Sequence, residues 1–183
     1  MSGPPDAPGS ALVLRALAFA AHKHRDQRRK DAGRSPYINH PIALADLLAN
    51  EAGIADVEVL CGALLHDTVE DTETTPEEIE RHFGPAIASI VMDVTDDKRL
   101  PKAERKRLQV EHAPHVNGKA KLVKLADKIC NLRDIVEAPP SGWPLERRQA
   151  YFDWAKSLVD RIRGTHSGLE TLFDRAYARR PSG

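Results

Sequence analysis

The stretch DVEVLCGALLHDTVED, residues 56–71, decides the fold class of this chain. Apolar residues dominate its first ten positions, and its last six positions hold four ionisable side chains. Because an unpaired charge costs several kcal/mol to bury, an apolar helix that ends in charge indicates a polar cavity at its end. On either side of this stretch, apolar residues recur at helical spacing and no strong strand alternation is present. The sequence therefore predicts an all-α fold.

The predicted helices are joined by short loops, which favours a compact multi-helix bundle. Pro41 supplies a proline-first helix start, Gly53 closes that helix, and Thr75 with Glu78 matches a capping box. Residues 1–10 are rich in Pro, Gly and Ser, so we expect a disordered tail followed by one domain over residues 11–179. We predict helices over residues 11–25, 41–52, 56–71, 76–84, 85–96, 102–112, 119–136, 145–163 and 167–179.

Composition narrows the class of protein. Basic and acidic residues number 27 each, which argues against broad binding to nucleic acid or to an anionic membrane. No stretch approaches the ~18 apolar residues of a membrane span, and the first ten residues lack the basic start and apolar run of a signal peptide. Cys61 and Cys130 have no CxxC spacing, which favours buried free thiols. We expect a cytoplasmic protein.

The charged end of the central stretch points to a metal. His66 and Glu70 are four residues apart, as are Asp67 and Asp71, so on one continuous helix each pair would stack on neighbouring turns. One imidazole and three carboxylates would then face the same cavity. Their mutual repulsion would be severe without a cation, and a divalent ion is the simplest explanation.

Two further residues complete a ligand set. His40 precedes Pro41, which favours an extended backbone at a helix start, and Asp127 lies within an apolar helix. Each has an ordinary alternative: His40 as a helix cap or core histidine, and Asp127 as an ion-pair partner of a nearby lysine. Together with His66 and Asp67, they form a set of nitrogen and oxygen donors that suits Mn²⁺, Fe²⁺, Co²⁺ or Zn²⁺. We assign surface or packing roles to His22, His24, His82, His112, His115 and His166.

The order His40, His66-Asp67, Asp127 resembles the H…HD…D signature of the HD superfamily. Several longer motifs resemble those of the hydrolase domain of the RelA/SpoT family. The resemblance is greatest to the short members of that family, the small alarmone hydrolases, and it extends over about residues 11–178. These motifs are RRKD (28–31), PYINHP (36–41), ALLHDTVEDT (63–72), VTDDK (94–98), LADK (125–128) and NLRD (131–134). The resemblance implies an HD-domain bundle.

The resemblance also implies roles for individual residues. It makes His40, His66, Asp67 and Asp127 the ligands of Mn²⁺. We expect one ion per chain, because the sequence has no second cluster of His and Asp residues. Glu70 and Asp71 match the pair that positions and activates the attacking water.

Further positions match residues that contact the substrate. Arg29 and Lys30 match a basic pair that packs against the nucleobase, Asn131 a contact to the sugar, and Tyr151 an aromatic residue near the nucleotide. Trp143 and Arg147 match further substrate contacts, although residues 144–146 depart from the family pattern beside them. From charge alone, a group of cations in segment 98–106, in and just before the predicted helix 102–112, is able to meet a pyrophosphate. The alternative for most of them is a solvated, charged helix face. These cations are Lys98, Lys102, Arg105 and Lys106.

The leading hypothesis is hydrolysis of ppGpp or pppGpp to GDP or GTP plus pyrophosphate, by a hydrolase without a synthetase domain. One alternative keeps the site and changes the substrate to NADPH or another nucleotide phosphorylated on its ribose 2′ or 3′ oxygen. Another is a non-catalytic alarmone-binding protein or a partner that neutralises a toxic synthetase, although the complete site argues against mere binding. The expected partner is a small-molecule nucleotide, without nucleic acid or membrane, and the oligomeric state is left open.

Overall fold

The computed structural model describes residues 9–183, and within them the chain is helical without a strand. Arg28 and Pro36 form an isolated bridge in the loop that follows the first helix. The predicted all-α fold is therefore confirmed. The helices are α1 (Gly9–Lys23), α2 (Asn39–Asp46), α3 (Val57–Leu65), α4 (Thr68–Asp71), α5 (Pro76–Phe83), α6 (Pro85–Val94), α7 (Lys102–His112), α8 (Gly118–Glu137), α9 (Leu145–Asp160) and α10 (Ser167–Tyr177).

The prediction of one helix over residues 56–71 is wrong in one respect, because the chain leaves the helix between α3 and α4. At this break, side chains donate hydrogen bonds to backbone carbonyl groups near the end of α3. The Thr68 hydroxyl donates to the Leu65 carbonyl at 2.7 Å, and His66 Nδ1 donates to the Ala63 carbonyl at 2.8 Å. Such local bonds compete with the helical ladder. Asp67 adopts φ −104° and ψ 1°, and the helix restarts at Thr68. The break turns His66 and Asp67 into a cleft.

The N-terminal boundary also differs from the prediction. Helix α1 begins at Gly9, so residues 9 and 10 of the predicted tail are helical, and the rest of that tail lies outside the described residues. Gly9 lies close to α3: a Cβ built on it would be 2.6 Å from Val57 Cγ2. The second helix begins at Asn39 and continues into a π-helical turn, Leu47–Glu51.

Helix α3 is buried on all sides, which explains why it is so apolar. Val59 and Ala63 pack into a core with α8, whereas Cys61, Leu64 and Leu65 pack into a second core with α1, α5 and α6. Helix α8 is similarly buried around Asp127. Two core helices therefore carry the polar groups to one place. Among the described residues, no helix has the length and apolar character needed to cross a membrane.

Candidate active site

The four predicted metal ligands come together in the structure. His40 is the second residue of α2, His66 and Asp67 form the break after α3, and Asp127 lies in the middle of α8. His40 Nε2 lies 3.0 Å from Asp127 Oδ1, and His66 Nε2 lies 2.8 Å from Asp67 Oδ2 and 3.9 Å from Asp127 Oδ1. Ligand atoms of His40, His66 and Asp67 are all within 4.8 Å of one another. This spacing suits a shared cation.

The state of His66 tests whether a cation fits. Its Nδ1 donates to the Ala63 carbonyl, so in the neutral imidazole Nε2 bears a lone pair that faces the carboxylates. Nε2 is buried, and its 2.8 Å contact with Asp67 Oδ2 lacks the geometry of a hydrogen bond. Burial lowers the pKa of His66, but Asp67 and Asp127 outweigh it and raise the pKa to about 9. The cluster therefore favours positive charge at the place where a metal would be bound.

Neighbouring side chains fix the orientation of the carboxylates of Asp67 and Asp127. The Tyr37 hydroxyl donates to Asp67 Oδ2, and Asn131 Nδ2 donates to Asp127 Oδ1 at 2.7 Å. Lys128 Nζ lies 2.7 Å from Asp127 Oδ2, so the ion pair considered as an alternative for Asp127 exists beside its contact with His40. Partners of this kind orient metal ligands in proteins.

Glu70 lines the same cleft and is poised to exchange a proton. Its Oε2 accepts a hydrogen bond from the Asp96 backbone N–H at 3.2 Å, and its Oε1 lies 3.7 Å from Arg105. Burial, and next the charge of Asp67, raise the pKa of Glu70 to about 7. A carboxylate with a pKa near neutrality is suited to general acid–base work.

Asp71 is held differently, because both of its carboxylate oxygens have partners. Gln27 Nε2 donates to Oδ2 at 3.0 Å, and Lys98 forms an ion pair with Oδ1. Gln27 Oε1 in turn accepts from His24 Nδ1 at 2.6 Å, and the buried His24 ring packs 4.8 Å from Tyr37. This arrangement suits Asp71 for orienting a water molecule better than for removing its proton.

The cleft consists of two adjoining cavities. The metal-side cavity, of about 440 Å³, contains the four ligands together with Glu70 and Asp71. The loop-side cavity, of about 530 Å³, lies towards the loop before α2 and the loop before α9. Volumes of this size accommodate a nucleotide. Eight residues line both cavities: Arg29, Lys30, Tyr37, His40, Asp71, Lys98, Asn131 and Tyr151.

The predicted substrate contacts fall mostly in this cleft. Arg29, Lys30, Asn131 and Tyr151 line both cavities, as stated above. Lys102 and Arg105 line the metal-side cavity, and Trp143 lines the loop-side cavity. Arg147 lines neither cavity, and its guanidinium instead stacks 4.2 Å from the centre of the Trp143 ring.

Arg29 is not a solvated loop charge. It forms an ion pair with Asp134 of α8, its guanidinium lies 5.8 Å from the centre of the Tyr37 ring, and its side chain is only 20% exposed. Folding of the loop onto α8 is thus what buries it. Lys30, by contrast, is exposed.

Sequence reasoning missed several lining residues. Lys124 and Lys128 flank Asp127 on α8, and their spacing of three residues before it and one after it could have placed them at the site. Trp154 lines the metal-side cavity too, and Lys106 Nζ lies 4.5 Å from the centre of its indole ring. No pattern in the sequence indicates this last contact, because it joins α7 to α9.

Comparisons with known proteins agree with this geometry. The sequence profile of the HD domain family matches residues 16–151. The guanosine-3′,5′-bis(diphosphate) 3′-pyrophosphohydrolase MESH1 of Xenopus tropicalis is 59% identical, over 92% of this chain and 94% of the relative. The protein of the same name from Homo sapiens is 56% identical, over 93% of this chain and 96% of the relative.

A solved structure gives the same result. It belongs to a metazoan orthologue of SpoT that hydrolyses ppGpp and plays a role in starvation responses. Its TM-score is 0.91 at 50% identity, with 95% of this chain and 97% of that chain covered. This chain therefore belongs to the HD domain family, within the group of short MESH1-type relatives.

Proposed function

We propose that this protein is a hydrolase that converts ppGpp and pppGpp to GDP and GTP with release of pyrophosphate. The observation that carries the proposal is Glu70, a carboxyl group with a pKa of about 7, beside the set His40, His66, Asp67 and Asp127 in one cleft. The names of the relatives support the same reaction. Hydrolysis is favoured over binding alone, because a binding protein needs no proton acceptor at the phosphate.

Four residues would hold the metal: His40, His66, Asp67 and Asp127. One divalent ion bound there supplies a Lewis acid for the phosphoryl oxygens and lowers the pKa of a water molecule. We propose Mn²⁺, one per chain, because two imidazole nitrogens and two carboxylates form a mixed nitrogen–oxygen set that suits it.

Glu70 then acts as the general base. It takes a proton from water as the water oxygen attacks the phosphorus that is esterified to the ribose O3′. The bond between that phosphorus and O3′ breaks, the proton taken up by Glu70 is returned through solvent to O3′, and pyrophosphate leaves. Asp71, with both oxygens already engaged by Gln27 and Lys98, orients the water rather than accepting its proton.

The substrate lies across both cavities in this proposal. The guanine occupies the loop-side cavity against Arg29 and Lys30, where a planar guanidinium can stack on a base. Tyr151 and Trp143 line the nucleoside, and Asn131 is within reach of the ribose. Arg147 orders Trp143 by stacking on it, while Lys102 and Arg105 neutralise phosphate charge.

We also propose a cytoplasmic location, and the two cysteines support it. Cys61 and Cys130 are buried free thiols, and burial raises the pKa of Cys61 to about 12. Free thiols are typical of a reducing compartment, which supports the cytoplasm as the site of action.

The substrate is tested by incubating the purified Mn²⁺ form separately with ppGpp, pppGpp and NADPH, and by separating the products chromatographically. Release of pyrophosphate from both guanosine substrates is the expected result. Release of orthophosphate from NADPH alone, with both guanosine substrates intact, would overturn the proposal.

A further inference from the structure

Lys124 is a largely buried residue whose ammonium group has no partner among residues 9–183. Its side chain lies on α8, one helical turn before Asp127, and lines the metal-side cavity with 8% of the residue exposed. Among residues 9–183 it makes no hydrogen bond and no ion pair, whereas the equally buried Lys128 lies 2.7 Å from Asp127. Its Nζ is not among the fully buried atoms that lack a partner, so the ammonium group reaches the solvent of the cavity, where an anion could pair with it.

The acidic residues nearest to Lys124 are already engaged elsewhere. Asp93 Oδ2 accepts from the Asn117 backbone N–H at 3.0 Å, and Asp96 Oδ2 accepts from the Gln109 side chain. Asp127 is held by His40, Lys128 and Asn131, as described above. None of these carboxylates lies within ion-pair distance of the Lys124 ammonium, so an internal salt bridge does not account for its burial.

Two more ammonium groups lie on the same side of the cleft. Lys106 Nζ of α7 and Lys128 Nζ of α8 lie 4.5 and 4.7 Å from the centre of the Trp154 ring. Burial, and next Lys102, lower the pKa of Lys106 to about 8, and burial followed by Lys128 lowers that of Lys124. Lys128 contributes to the lowered pKa of both Lys106 and Lys124, and a bound polyanion would offset this repulsion.

We propose that Lys124, together with Lys106, binds the distal phosphate of the 3′-pyrophosphoryl group. The inference rests on the proposed hydrolase function, in which the ester phosphate lies beside the metal site that includes Asp127. Lys124 precedes Asp127 by three residues, which corresponds to about 4.5 Å along the helix axis. The next phosphate of the chain would then be within reach of the Lys124 ammonium. This subsite distinguishes a 3′-diphosphate from a 3′-monophosphate and retains the leaving pyrophosphate.

Lys124→Met tests the subsite, because methionine keeps an unbranched stem and removes the charge. Inorganic pyrophosphate and GDP, the two products, are titrated separately into the Mn²⁺-loaded protein by calorimetry. The dissociation constant for pyrophosphate should rise about 10- to 100-fold, the usual effect of losing a charge-assisted hydrogen bond. The constant for GDP should change less than about twofold, because GDP binds at the other end of the cleft.

Lys121→Met is the matched control, since Lys121 lies on the same helix and does not line the cleft. It should leave both constants unchanged. Lys106→Met is an independent test at a half-buried position. It should show the same selective loss of pyrophosphate affinity, and it keeps the proposal testable if Lys124→Met does not fold. Unchanged pyrophosphate affinity in the folded variants, or an equal loss for both products, would overturn the subsite. A separate assay tests the proposed function itself: if the wild-type protein does not hydrolyse ppGpp, that function is wrong.

Discussion

Replacing Glu70 by glutamine separates catalysis from metal binding. Glutamine keeps the size of the side chain and the acceptor for the Asp96 backbone N–H, but it cannot take a proton from water. We expect the bound metal to remain near one ion per chain while kcat falls by about 10²- to 10⁴-fold, the usual contribution of a general base. Elemental analysis and a pyrophosphate-release assay measure the two quantities on the same sample.

The raised pKa of Glu70 adds a test based on stability. Its pKa rises from 4.5 to about 7 on folding, so the folded state retains a proton that the unfolded state has lost. This retained proton favours the wild-type fold at low pH, and the advantage disappears as the pH rises through 7. In metal-free protein, Glu70→Gln should therefore stabilise the fold by about 2 kcal/mol more at pH 8 than at pH 5. Chemical denaturation in excess chelator measures this difference.

The same titration governs activity. The base form of Glu70 exists above its pKa, which is about 7 in the metal-free protein, so kcat/KM should increase with pH and then level off. A bound cation favours the charged carboxylate and would shift this limb to lower pH. Glu70→Gln should lack the limb, and the exposed Glu77→Gln should behave as wild type. An empty metal site in Glu70→Gln would make Glu70 a ligand, and a near-normal kcat would transfer the role of base to Asp71.

Three further perturbations follow from the structure. Asp67→Asn should lose metal and activity together, because it removes a ligand charge; retention of stoichiometric metal in elemental analysis would exclude Asp67 from the ligand set. Replacing Arg29 and Lys30 together by alanine should raise KM, and it should also lower the melting temperature by a few degrees because Asp134 loses its partner; an unchanged KM would remove both from the nucleotide site. Limited proteolysis should leave residues 11–179 as one stable unit, and cleavage into two folded fragments would contradict a single domain.

Much of the fold was predictable because the helices are long and their apolar faces regular. Helix α7 has the predicted bounds, and α8 extends only one residue beyond them at each end. The break between α3 and α4 was not predictable from periodicity, because it depends on side-chain bonds from His66 and Thr68 to carbonyl groups. The π-helical turn after α2 gave no recognisable pattern either.

The candidate site was likewise predictable only in part. The meeting of His66, Asp67 and Asp127 in one cleft was predictable, because each lies in or directly after an apolar helix, where an unpaired charge is costly. Contacts that join distant elements were not predictable. Arg29 meets Asp134 across 105 positions of sequence, and the contact between Lys106 and Trp154 depends on how α7 packs against α9.

The most direct test of the central claim is a titration of Mn²⁺ into chelator-stripped protein with ppGpp as substrate, in which released pyrophosphate is quantified. The account predicts no turnover without metal and a linear rise in rate that ends at one ion per chain. Full activity in excess chelator, or orthophosphate as the released product, would contradict it.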